Sequence, residues 1–264
     1  MVLNFVGTGN LTRFFIECLK EQFEIGYILS RDLRKATNLS KTCGGHPATI
    51  DNHPTMSGVV FVIVPDKYIE DVAKHLKMGD AVLMHCSGFL SSDIFKRKKR
   101  ASLHPNFSFS NLKKALEMRK QIIFGIEGDE EGVATAIEIV KAISGKYLLI
   151  PSEKKKMYHL AAVIVSNFPI ALASISKKIY SLLGIEKPEE LIHALMKGVV
   201  DNLKEIGVEG ALTGPVKRGD WEVVEAERMV FEKIFGSYTL YDEIVKILKE
   251  VAGSERDEVK KDER

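Results

Sequence analysis

Cysteine is scarce in this chain. Its 264 residues include three, Cys18, Cys43 and Cys86, odd in number, far apart and without a CxxC or HxxxH companion, so neither a disulfide framework nor a metal site is expected. That points to a reducing, cytoplasmic setting. An excess of one charge is missing too: 38 lysines and arginines face 36 acids, a formal net charge of +2. No overall field therefore selects nucleic acid or an anionic membrane. The longest apolar run, Leu160 to Ile175, is interrupted by Ser166, Asn167, Pro169 and Ser174 and is shorter than the roughly 20 residues of a membrane span. It reads as a buried helix. The N-terminal residues enter a strand without a basic leader or an apolar signal core, and no export signal is expected.

With 45% hydrophobic residues the chain can bury a substantial core in one or two domains. The first 150 residues alternate β-branched runs with helical patterns, as in a parallel sheet covered by helices. The expected strands are Leu3–Val6, Ile25–Leu29, Ala48–Ile50, Val59–Val64, Ala81–His85, Ala101–Leu103, Ile122–Ile126 and Tyr147–Ile150. Helices are expected over 10–22, 31–42, 67–76, 90–98, 111–118 and 130–144. After Pro151 the β-branched runs stop and long helical patterns take over, at about 153–183, 188–206, 220–235 and 238–252. This gives an α/β Rossmann-like domain over 1–151, an all-α domain over 152–252 and a charged tail over 253–264 that is expected to fray. Pro188 suits a first helical turn and Gly207 a helix end.

The most telling motif opens the chain. An apolar run feeds Gly7-Thr8-Gly9-Asn10-Leu11-Thr12 and then the helical pattern Leu11, Phe14, Phe15, Cys18, Leu19. A strand turning on two glycines into a helix aims backbone N–H groups and the helix's positive end at one spot, where a pyrophosphate can sit. Thr12 stands where the fingerprint has its third glycine and should hold helix and strand slightly further apart. At the end of the second strand Ser30, Arg31 and Arg34 suit a 2′-phosphate and favour NADP. Asp32 is the alternative, because a one-residue shift of the strand end would make it a ribose acceptor. Val64-Pro65-Asp66 and Ser87-Gly88 end two further strands along the same carboxyl edge, where ligands of open α/β sheets bind.

Chemistry is expected further on. At about 100° per residue, Lys156, His159, Val163, Ser166 and Asn167 share one narrow stripe of an otherwise apolar helix. Pro169 leaves the carbonyl of Val165 free, and the helix should bend there. Reduction of a C=O or C=N bond needs a proton donor and orienting hydrogen bonds. Lys156 or His159 fits the first role and Ser166 and Asn167 the second, with His104 a rival donor. The alternative is that His159 and Asn167 are satisfied polar groups at a helix–helix or subunit contact. Lys154 and Lys155 read as a solvated first turn. Arg218, in Leu212-Thr213-Gly214-Pro215-Val216-Lys217-Arg218-Gly219-Asp220, suits a substrate carboxylate or phosphate, or simply pairs with Asp220, itself placed to cap the next helix. The basic run Lys96 to Arg100 lacks interleaved aromatics and reads as a solvated loop, not a nucleic-acid surface.

These features in this order (GTGNLT, Ser30-Arg31, Val64-Pro65-Asp66, Cys86-Ser87-Gly88, His104-Pro105, Tyr158-His159 through Ser166-Asn167, and LTGPxxRGD) resemble a family of predicted oxidoreductases. Its members join a Rossmann-like domain to a C-terminal helical domain of unknown function. The resemblance spans about 5 to 240 and extends to pyrroline-5-carboxylate reductase, ketopantoate reductase and the 6-phosphogluconate and β-hydroxyacid dehydrogenases. It implies a helical domain like that of 6-phosphogluconate dehydrogenase, NADP in the first domain, a small-molecule substrate between the domains and a homodimer formed through the helices. Two positions depart from it. Val163 stands four residues before Asn167, where the β-hydroxyacid enzymes carry a catalytic lysine, and Glu227 stands where the family often has histidine. The function expected is NADP-dependent reduction of a small carboxylate-bearing metabolite, with a non-catalytic NADP-binding sensor or scaffold as the alternative.

Overall fold

The computed structural model describes the backbone of residues 1–262 and the side chains through Gly253. The chain divides into two compact units, Met1–Phe168 and Pro169–Arg264. In the first, β1 (Val2–Val6), β2 (Glu24–Leu29), β3 (His46–Ala48), β4 (Met56–Val62), β5 (Met78–His85), β6 (Arg100–Pro105), β7 (Ile123–Gly128) and β8 (Lys146–Leu149) form one sheet of order β3-β2-β1-β4-β5-β6-β7-β8. Around it lie α1 (Asn10–Leu19), α2 (Leu33–Ser40), α3 (Ile69–His75), α4 (Leu112–Glu117), α5 (Glu130–Ile143) and α6 (Lys155–Ser166).

Alternate residues of the central strands feed two cores, Leu3, Phe5, Val59 and Phe61 on one face and Val6, Val60 and Val62 on the other. Phe61 stacks between Phe5 and Phe15, with both centroid distances 5.1 Å. In the middle of β1 sits a buried amide. Asn4 donates through Nδ2 to the carbonyls of Ser57 (2.8 Å) and Val59 (3.2 Å) and accepts from the Tyr27 amide (2.9 Å). It thereby bridges β1 to β2 and β4 where the β1–β2 register slips between Leu3 and Phe5.

Several expectations are corrected. The sheet is not parallel throughout, because β7 runs antiparallel to β6 and β8 parallels β7. In the connection α4 packs on α1, and the Asn106 amide meets the Ile123 carbonyl (2.9 Å) where the chain turns back beside β6. The helix expected over 90–98 is one 3-10 turn, Ser92–Phe95, ended by Lys96 in the left-handed region. Within the basic run Lys99 pairs with Asp80 and Glu131, Arg100 pairs with Asp93, and Arg97 donates to the Ala81 carbonyl. Lys146–Leu149 form an exposed outer strand.

The second unit comprises α7 (Phe168–Leu182, its first residue shared with the first unit), α8 (Pro188–Ala211), α9 (Pro215–Arg218), α10 (Trp221–Phe235) and α11 (Thr239–Asp262). Pro188 lies in the first turn of α8, and Gly207 (φ 72°) breaks that helix. The bend expected near Pro169 is realised as the break at Asn167 between α6 and α7. From Ser152 to Leu182 the stretch is long and apolar enough, by length and composition, to cross a membrane, longer than the run read from the sequence. Nor is α7 a buried helix: none of its residues is buried. Among the described residues of this unit only Pro188, Val216 and Val224 are buried. α11 continues to Asp262, past the end expected at 252. Of the tail expected to fray, Glu263 and Arg264 lie outside the described residues.

Asn4→Leu strands the Tyr27 amide and two carbonyls in the sheet, and each buried unpaired group costs about 1–3 kcal/mol. Urea unfolding is expected to show the variant less stable by at least about 2 kcal/mol; a loss under about 0.5 kcal/mol would mean that the bridge contributes nothing.

Candidate functional site

The carboxyl ends of β1, β2, β4, β5 and β6 lie along one edge, since these strands are mutually parallel. After β1 the chain turns at Gly7 (φ +115°), where a Cβ would lie 2.1 Å from the Ile63 carbonyl oxygen, so no other residue fits. Gly9 begins α1 with no side-chain cap, and nothing lies within 4 Å of where its Cβ would be. The α1 amides thus open onto free space, as an anion site requires. Thr8 and Leu11 can contribute backbone N–H groups there, Leu11 also packing on the core, while the Asn10 side chain is committed to the Phe109 carbonyl (2.7 Å). Thr12 is fully buried, its Oγ1 without a partner and 3.7 Å from the Cβ position of Gly7.

Ser30 directly follows β2, and its Oγ accepts from the Asp32 amide (3.2 Å). Asp32 is the N-cap of α2: it accepts from the Arg34 amide (3.0 Å) and pairs with the Arg34 guanidinium (3.4 Å). The Arg34 side chain, 90% exposed, thus lies beside Asp32. Arg31 precedes α2, stands 5.7 Å from the Tyr68 ring centroid, and with Val64, Pro65, Tyr68 and His75 lines a cavity of about 290 Å³. Ser87 is a turn staple: its Oγ donates to Asp66 (2.6 Å) and accepts from the amides of Phe89 (3.2 Å) and Leu90 (3.0 Å). No valence of that hydroxyl remains for a ribose.

Two imidazoles meet over Gly88. A Cβ there would lie 2.6 Å from His159 Nδ1 and 2.8 Å from His104 Nε2. The rings are 5.7 Å apart and nearly perpendicular, and His159 Nδ1 is buried with no partner. His104 Nδ1 is 3.0 Å from the Tyr158 hydroxyl, which Asn106 also reaches. Beneath them lies Lys155, 2% exposed, not the solvated turn its surroundings in sequence suggest. Its Nζ donates to the Ser87 carbonyl (2.8 Å) and to Ser102 Oγ, and lies 3.7 Å from Glu127. Glu127 accepts in turn from the Ser92 amide (2.6 Å), Ser92 Oγ (2.9 Å) and Ser152 Oγ (3.2 Å). Burial pulls the ammonium down to about 8, with Glu127 opposing. Burial, aided by Lys155 and His159, pulls His104 down to about 4.

The expected polar stripe therefore divides. His159 enters this cluster, and exposed Lys156 lies at its margin, 5.4 Å from the Phe89 ring that also faces His159. Ser166 is exposed and bonds back to the Ala162 carbonyl (2.7 Å), and Asn167 caps α6. In the second unit Arg218 pairs with Asp220 (2.8 Å), whose side chain takes the guanidinium and makes no cap bond to α10. Lys155, Glu127, Ser102, Tyr158 and Asn106 escaped the reading of the sequence. A glutamate inside the apolar strand Ile123–Gly128 was the available signal, since buried acids are rare without a partner.

An open α/β sheet whose glycine bend and imidazole pair share one carboxyl edge, followed by a helical unit, is the architecture of a two-part Rossmann-like protein. A family model described as a domain of unknown function, DUF2520, matches residues 122–247. Protein TM1727 from Thermotoga maritima is 66% identical, with 96% of this chain and 99% of that one covered at a TM-score of 0.85. The chain belongs to this family. Its fold is shared by BF3122 from Bacteroides fragilis, named as a candidate NADP oxidoreductase (20% identity, 94% and 98% covered, TM-score 0.77). It is shared as well by a pyrroline-5-carboxylate reductase from Coxiella burnetii (16% identity, 94% and 97% covered, TM-score 0.58). No curated protein matches the sequence.

Because the folded Lys155 pKa lies near 8 and the unfolded value near 10.5, the unfolded chain binds the extra proton between them, so this residue's contribution to stability rises with pH across that window. Denaturant unfolding at pH 8 and pH 10 is expected to show the parent gaining on Lys155→Met/Glu127→Gln. A difference that stays flat over this range would contradict the assignment.

Proposed function

We propose that the protein is an NADP-dependent reductase acting on a C=O or C=N bond of a small carboxylate-bearing metabolite. The observation that carries this reading is the convergence of His104 and His159 over Gly88, on the same sheet edge as the Gly7 bend. The names of the BF3122 protein and of the pyrroline-5-carboxylate reductase that share the fold support it.

In this reading the amides from Thr8 to Leu11, at the uncapped start of α1, hold the cofactor's pyrophosphate. Ser30 and Arg31 take the 2′-phosphate, and Val64 and Pro65 flank the cavity beside them. Asp66 and Ser87 act one step back by fixing the turn that carries Gly88. The cofactor, when bound, supplies the hydride. The chain supplies hydrogen bonds and a proton at the other end of the reacting bond through His159 and His104. Asp66 and Glu127 are already engaged, whereas Lys156 stands at the margin. That balance suits a substrate bearing a carboxylate. Ser166 and Asn167 are assigned to orienting the substrate.

A single guanidinium contact to phosphate is worth about 1.5–3 kcal/mol, or about 10- to 100-fold in affinity. Fluorescence titration should show Arg31→Ala losing that much for NADP and little for NAD, and the parent should oxidise NADPH with a member of a panel of 2-oxo acids and cyclic imines. Equal affinity of parent and variant for NADP would remove Arg31 from the site. Retention of NADP without turnover on the panel would favour a sensor or scaffold.

The helical unit supports a second part of the proposal, a homodimer. Leu195, Val200 and Ile206 on α8 and Ile170 on α7 are 58–68% exposed, and helices apolar on most faces need a partner surface. Sedimentation velocity is expected to give a dimer; a monomer at micromolar concentration with full helix content would refute this.

A further inference from the structure

The placement of the His104 proton follows from three hydrogen bonds read in order. Asn106 Nδ2 lies 3.0 Å from the Ile123 carbonyl oxygen. A carbonyl only accepts, so that corner of the amide is NH2, and its orientation needs no further assumption. The same NH2 reaches the Tyr158 hydroxyl, which therefore accepts from it. Tyr158 can stand there only because residue 125 is glycine: a Cβ at Gly125 would lie 2.3 Å from the hydroxyl oxygen. The hydroxyl's own hydrogen remains to be placed. With Asn106 donating into it, the hydroxyl is free to give that hydrogen to His104 Nδ1, the ring nitrogen 3.0 Å away. A ring nitrogen that accepts carries no proton, so the proton of the neutral ring sits on Nε2, the atom aimed over Gly88 beside His159.

We infer that Asn106 and Tyr158 are positioning residues that lock His104 as its Nε2–H tautomer, presenting a neutral N–H donor to the group bound over Gly88. Burial and the Lys155 charge beneath the ring keep a second proton off it. A neutral donor suits an atom with a free lone pair. An iminium nitrogen has none, so, resting on the reductase reading, the inference favours a carbonyl oxygen or the lone pair of a neutral imine nitrogen over a substrate that arrives already protonated.

The test is nitrogen NMR on the full-length protein labelled with 15N-histidine and free of cofactor, with the His104 signals assigned by their loss in His104→Gln. The parent is expected to show a pyrrole-type Nε2 and a pyridine-type Nδ1. Tyr158→Phe removes the pinning hydrogen and should give a tautomer mixture. Asn106→Asp offers the tyrosine a stronger acceptor, reverses the chain and should move the proton to Nδ1. An Nδ1–H pattern in the parent, or an unchanged pattern in both folded variants, would overturn the inference. Should neither variant fold, the parent spectrum decides alone. Because no cofactor or turnover enters the measurement, its outcome is separable from that of the NADP titration and the substrate panel.

Discussion

One buried ion pair organises the carboxyl edge of this protein's sheet. Lys155 and Glu127 are both nearly excluded from water, an arrangement tolerated only when every remaining donor and acceptor is met. Here they are met, by the Ser87 carbonyl, Ser102, Ser92 and Ser152. Such pairs contribute little net stability compared with apolar packing, so the effect of this one is positional. It ties the turn after β5, the middle of β6, the end of β7 and the first turn of α6 to one point. The turn bearing Gly88 and the helix bearing His159 are thereby set in register.

The reversal of β7 matters for the same reason. Antiparallel pairing sets Glu127 opposite Ser102 and Gly125 opposite His104. The first pairing brings the carboxylate to the lysine, and the second leaves a gap beside His104 into which Tyr158 reaches. The strand that departs from the parallel pattern is thus the one that furnishes the support for both ionisable groups. Lys155 and Tyr158 also explain why α6 belongs with the first compact unit.

Most of the architecture was legible in the sequence because period and composition change with each element. All eight strands were anticipated within a few residues, the central ones because unbroken apolar runs such as Val59 to Val62 mark burial on both faces. Strand direction was not legible, because the same run serves either orientation. At the site, Gly7 and Ser30 lie where a glycine bend and a strand end must put them, but local spacing could not distinguish Lys155 from its neighbours Lys154 and Lys156. Its burial depends on Glu127, 28 positions earlier in the sequence, and a stripe drawn on one helix contains no record of what lies across from it.

The outer strand Lys146–Leu149 presents Leu148 and Leu149 to solvent at the margin of an eight-stranded sheet, the situation in which molecules zip together through their main chains. Two features blunt that hazard. The strand is four residues long, which limits the ladder an intruder can build, and it is bracketed by a charged side chain at Lys146 and by Pro151, which has no amide hydrogen to offer. Protection against fibrillar self-association is thus written into the margin's brevity and punctuation, leaving its two leucines free to remain apolar.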